Sequence, residues 1–176
     1  LDYGYGMSAA VFPLLAAVMV PLSELPAPVA AYAQRFAEAC ATTNSGAAVA
    51  NEMYVERLFG ISDVNLDGAA DYFAYACMFG CERDPFVFAS GSPPCPDGVL
   101  LMSTPEGYVT LRLPGTIKRV LPGERPAVVL TRRRNIGDGC SIPFGCQYVY
   151  EVKDGRFQLV GECPEGACDD PLAKVQ

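Results

Sequence analysis

The sequence predicts a mainly β fold: an antiparallel meander of two imperfect three-stranded units with a short N-terminal helix, stabilised by disulfides. Three observations predict it. From Tyr72 to Val160 the chain is a succession of short β-branched and aromatic runs separated by Gly- and Pro-containing breaks, the pattern of strands and turns. Asp154-Gly155 joins two such runs, and an Asp-Gly pair in that setting marks a tight hairpin turn. The chain carries 8 cysteines, an even number that suits a disulfide framework built in an oxidising compartment.

The N-terminal stretch from Met7 to Leu22 is uncharged and apolar. It is short for a membrane span and has the length of a signal-peptide core. Residues 1–23 therefore read as a signal peptide and 24–176 as a single exported β-rich domain. Ala31-Tyr32-Ala33 also fits a small-x-small cleavage site. However, Val29, Tyr32, Phe36 and Cys40 mark one face of a helix at intervals of three to four, and Pro28 suits its first turn. Cleavage near Ser23 keeps this helix, 28–41, whole.

Residues 42–50 are small and polar, with Asn44-Ser45-Gly46 as a turn signal. Residues 53–59 read as a strand or a short helix, ended by Gly60. The first expected unit is a strand at 72–76, a cysteine-bearing loop at 77–95 and a hairpin at 98–112. The second is a strand at 127–131, a loop bearing Cys140 and Cys146, and a hairpin at 147–160. A further short strand lies at 116–121, followed by a Pro-Gly turn. The connection 78–97 carries Pro85, Pro93, Pro94 and Pro96. It is too long for a simple link, so cysteine pairing must hold it. The core expected from these runs comprises Tyr72, Phe73, Leu100, Leu101, Val109, Leu111, Val128, Val129, Leu130, Val149 and Phe157.

Short loops close at low entropic cost. Cys140–Cys146 and Cys163–Cys168 are therefore the expected local disulfides, and Cys40, Cys77, Cys81 and Cys95 pair among themselves. No C-x-x-C occurs, so neither a zinc ribbon nor a thioredoxin-like redox motif is supported.

Composition narrows the chemistry. There is no histidine, which excludes Ser-His-Asp and Cys-His catalysis and any imidazole base or ligand. No pair of carboxylates stands out as a catalytic couple. The formal net charge of -7 argues against nucleic acid as a partner. The positive charge is concentrated between Arg112 and Arg134, where Glu124 is the lone acid. Its densest point, Arg132, Arg133 and Arg134, reads as a solvated strand end or as a docking patch for an anionic partner.

The most informative stretch is Asp63-Val64-Asn65-Leu66-Asp67-Gly68-Ala69-Ala70-Asp71. Oxygen-bearing side chains recur at alternate positions, and Gly68 permits a sharp turn. A hard cation such as Ca²⁺ takes about six to eight oxygens at about 2.3–2.6 Å. Asp63, Asn65, Asp67 and Asp71 are the side-chain candidates, with the Ala69 carbonyl as a backbone ligand. An EF-hand would close with Glu at its twelfth position, where this chain has Ala74. The competing reading is a metal-free Asx turn, in which Asp63 and Asn65 cap backbone amides.

The 63–71 string, followed by an aromatic and aliphatic strand, resembles the calcium loop of FG-GAP/VCBS-type β-proteins. The wider layout is similar to a family of exported alphaproteobacterial proteins of no assigned activity, with a single loop of this EF-hand-like kind. The matching residues are the Cys40 region, Asp63 to Asp71, Cys95 before 99–102, Arg125-Pro126 before 128–130, and Cys140 and Cys146 before 148–150. The resemblance implies export to the periplasm or beyond, Ca²⁺ and a β fold. The expectation is a non-enzymatic binding or structural domain, stabilised by Ca²⁺ and disulfides, with a protein or cell-envelope partner. Alternatives are an inhibitor or immunity-type protein that blocks an enzyme, or a cell-wall glycan hydrolase working with two carboxylates.

Overall fold

A computed structural model describes residues 19–52, 60–89, 98–121, 127–132 and 146–163. Among the described residues one α-helix, α1 (Ala27–Thr42), accompanies antiparallel strands arranged in three sheets. Pro26 caps the helix and a proline stands in its first turn, where a missing N–H costs nothing. Its buried face is Val29, Tyr32, Ala33, Phe36 and Cys40, the stripe that the three-to-four spacing predicts. The helix ends at Thr43, and Asn44 follows with φ 54°, a left-handed conformation that Asn tolerates.

The two expected units are present, and each has a fourth strand. The first sheet runs β3 (Gly60–Ser62), β4 (Ala70–Tyr75), β6 (Gly98–Thr104), β7 (Gly107–Arg112). The second runs β8 (Thr116–Leu121), β9 (Ala127–Arg132), β10 (Cys146–Lys153), β11 (Arg156–Cys163) in simple succession. Asp154 and Gly155 form the turn between β10 and β11 with φ 52° and 67°, as a type I′ hairpin requires. In the β6–β7 hairpin Thr104 pairs with Gly107, so Pro105 and Glu106 are its loop.

A third sheet departs from the sequence expectation. It joins β1 (Met19–Val20), β2 (Ala48–Asn51) and β5 (Phe79–Cys81). β2 lies in a segment expected to be a polar turn, and β5 in one expected to be loop. Neither is strand-like by composition; tertiary pairing between them sets their conformation. Gly80 is needed there, because a Cβ would stand 2.3 Å from the Pro85 carbonyl oxygen. Met19 and Val20, inside the stretch expected to be a leader, pair with Asn51 and Ala50.

Cys40 and Cys81 form a disulfide with Cα atoms 5.6 Å apart. It ties the end of α1 to β5, within the pairing set expected for the first four cysteines. Cys77 is also disulfide-bonded. Cys95, Cys140 and Cys168 lie outside the described residues, so the expected local pairs do too. Beside the Cys40–Cys81 bridge, Phe36 stacks on Phe79 with centroids 4.4 Å apart and meets Phe88 edge-on at 4.8 Å.

The core is continuous from α1 through β4 and β6 to Val128, Tyr148 and Tyr150 of the second sheet. Phe73, Leu100, Leu101, Val128 and Val149 are buried as expected, and Tyr72, Leu111 and Phe157 pack partly buried against the same core. Val109 is the correction: it is 40% exposed, because β7 is the terminal strand of its sheet. The side chains of Val129 and Leu130 lie outside the described set. Among the described residues no helix is long and apolar enough to cross a membrane.

Candidate metal centre

The 63–71 segment comprises the loop between β3 and β4 and the first two residues of β4. Three of its residues take left-handed conformations: Asp63 (φ 58°), Leu66 (φ 62°) and Gly68 (φ 86°). That tight coil turns the polar side chains inward on the loop. Asp63 Oδ1 accepts the Asp67 amide at 2.6 Å, and its Oδ2 accepts the Gly68 amide at 2.7 Å. Asn65 Oδ1 accepts the Asp67 amide at 3.2 Å. Asp67 Oδ1 accepts the Ala69 amide at 2.9 Å. Val64 is the apolar anchor, 3% exposed.

Asp71 is fully buried. The last backbone pair between β4 and β6 is Tyr72 with Leu101. Beyond it the Asp71 side chain replaces the ladder: Oδ1 accepts the Ser103 amide at 2.7 Å and its hydroxyl at 2.9 Å, and Oδ2 accepts the Val64 amide at 2.6 Å. A buried carboxylate is tolerable only with such a set of donors.

Ser103, which sequence reasoning missed, is the hub. Its Oγ lies 2.9 and 2.8 Å from the two Asp67 oxygens as well as 2.9 Å from Asp71. Asn65 Nδ2 reaches its carbonyl at 2.7 Å. A hydroxyl carries one proton, so it serves one of these three carboxylate oxygens and turns lone pairs to the others. The only hint in the sequence is a serine ending the apolar run 99–102 of a buried strand.

The Ala69 amide and the Ser103 hydroxyl hold the Asp67 carboxyl below its ordinary range. Tyr108 stands nearby and donates its hydroxyl to the Ala70 carbonyl at 3.0 Å. Desolvation, then the negative groups around it, push its phenol upward.

Asp63, Asn65, Asp67 and Ala69 in the loop and Asp71 at the start of β4 are thus brought near one another, but not into one ring. Asp67 and Asp71 converge on Ser103, while Asp63 faces the loop's own amides. Among the described residues no three acidic, Cys or His side chains stand close enough together to hold a metal. The donor chemistry still fits a hard cation. Every group offers an oxygen ligand, and the carboxylate oxygens of Asp63, Asp67 and Asp71 keep lone-pair capacity beyond the N–H contacts they accept. Of the basic cluster, Arg132 ends β9 without a described side chain, and Arg133 and Arg134 lie outside the described residues.

No family model, no curated protein and no solved structure matches this chain.

Proposed function

We propose that this chain is an exported, non-enzymatic binding domain whose 63–71 loop takes Ca²⁺ as a structural ion, in a fold stapled by disulfides. The observation that carries the reading is the convergence at Ser103, where oxygens of the Asp67 and Asp71 carboxylates stand within 2.8–2.9 Å of one hydroxyl. Two carboxylates reaching one point from the loop and from β4 are the kind of oxygen donors a hard divalent cation takes. Asp67, Asp71 and Asn65 would hold it, with Asp63 and the Ala69 carbonyl completing the set. The ion supplies only stabilisation there: it binds the folded loop and not the unfolded chain, so it raises stability by mass action. The oxidising compartment rests on the cysteines. The non-enzymatic reading rests on the lack of histidine and of a carboxylate couple.

A specific observation favours a second reading. Asp63 and Asp71 already accept five N–H or O–H contacts between them, which is what a metal-free staple would do. Thermal melting separates the two. With Ca²⁺ affinity of the extracellular kind, about 10⁻⁴–10⁻³ M, millimolar Ca²⁺ raises Tm, Mg²⁺ raises it less, and Asp67→Ala removes the shift. A Tm indifferent to Ca²⁺ in the unaltered chain leaves the staple as the function of the loop.

A further inference from the structure

Helix α1 and the β6–β7 hairpin leave a groove between them. It consists of two adjoining recesses of about 460 and 400 Å³ that share Tyr32 and Thr110. On the helix side stand Ala27, Ala31 and Arg35, one stripe at intervals of four, and the two alanines leave space that longer side chains would fill. On the strand side stand Tyr108, Thr110 and Arg112, alternate residues and so on one face of β7. Leu101, the cross-strand partner of Thr110, gives an apolar floor.

Both arginines line the same recess and both are exposed. The Arg35 guanidinium lies 4.0 Å from the Tyr32 ring centroid and 4.6 Å from that of Phe36, and it donates to the Tyr32 hydroxyl. Stacking fixes the planar group in place, so little side-chain freedom is left to lose on binding. The chain as a whole carries -7, and within it these two cationic side chains line one recess.

We propose that this groove binds an extended peptide segment bearing an acidic residue, its carboxylate between Arg35 and Arg112 and an apolar neighbour over Tyr32 and Leu101. Guanidinium groups suit carboxylates through paired, charge-assisted hydrogen bonds. Both recesses are partly open to solvent, so a chain can enter from outside. From Tyr108 to Arg112 the strand rises about 13 Å, about four residues of extended peptide. The inference rests on the binding-domain reading above and adds the chemistry of the partner.

The test is a fluorescence-anisotropy titration of the full oxidised chain with labelled peptides of alternating Leu and Glu, Leu and Lys, or Leu and Gln, in Ca²⁺ and in EGTA. The Leu–Glu peptide alone should bind. Arg112→Glu should weaken it about tenfold or more, as expected for a lost hydrogen bond to a charged group. Ala31→Tyr, on an exposed helix position, should weaken it similarly by filling the groove, with circular dichroism unchanged. Equal binding of the Leu–Lys peptide, absence of binding, or binding indifferent to both variants overturns the proposal. Absence of binding in a chain whose Tm still rises with Ca²⁺ overturns the groove alone. Leu–Glu binding that persists in EGTA and falls with Arg112→Glu supports the groove independently of the ion.

Discussion

Asp71 accepts both the amide and the hydroxyl of Ser103, at 2.7 and 2.9 Å, across 32 positions of sequence. The pair extends the β4–β6 ladder past its last backbone rung and fastens the 63–71 loop to the middle of the first sheet.

Removing either partner should therefore unfasten the loop. Asp71→Ala leaves the Val64 and Ser103 amides unmatched in the interior. At about 1.5–3 kcal/mol for a hydrogen bond to a charged group, the loss should be about 3 kcal/mol or more. Ser103→Ala removes only the hydroxyl and should cost about 1 kcal/mol. Urea denaturation of both single variants and the double variant gives the coupling. A coupling near zero would show that the contact does not contribute.

Leu66 is a left-handed, solvent-exposed, non-glycine residue, at φ 62° and 59% exposure. The conformation costs about 1–2 kcal/mol for such a side chain, and a side chain this exposed recovers little of that by burial. Leu66→Asn, a residue that tolerates this region, should stabilise the protein by about 0.5–1 kcal/mol. A lower denaturation midpoint in the variant would contradict the argument.

Two groups near the loop give stability a direction in pH. Asp67 is held below its ordinary range, so its contribution is present above the unfolded value, about 3.9, and is lost as pH falls through the lower folded value. Tyr108 is pushed upward, so its contribution is present below the unfolded value, about 10, and is lost as pH rises through the higher folded value. Melting curves across pH should show an acid decline that Asp67→Asn flattens and an alkaline decline that Tyr108→Phe flattens.

The Cys40–Cys81 bridge spans a sequence separation of 41. The chain-entropy relation assigns about 4 kcal/mol to a ring of that size. The double variant Cys40→Ala with Cys81→Ala should lose most of it by denaturant titration. A loss below about 1 kcal/mol would mean that the α1–β5 packing alone orders the unfolded ends.

What the sequence disclosed was local. The helix stripe from Val29 to Cys40, the Asp154-Gly155 turn and the paired runs of β6–β7 and β10–β11 each follow from side-chain periodicity or turn chemistry. The third sheet did not, because Ala48-Val49-Ala50-Asn51 and Phe79-Gly80-Cys81 are too short and too small-residued to show a period. They become strands through pairing with each other. At the site the sequence marked every loop acid, since their spacing is itself the signal. It concealed Ser103, whose role comes from the register of β6 against β4, and it misplaced Val109, whose exposure comes from the terminal place of β7.

The Cys40–Cys81 bridge has one more consequence, since the ring it closes contains the whole 63–71 loop. A protease that nicks the exposed turn at 66–68 divides the chain into two pieces that remain covalently joined. The nicked molecule would run as one species on a non-reducing gel and as two after reduction. In an environment rich in proteases, this exposed turn can be severed without separating the helix from the strands that follow.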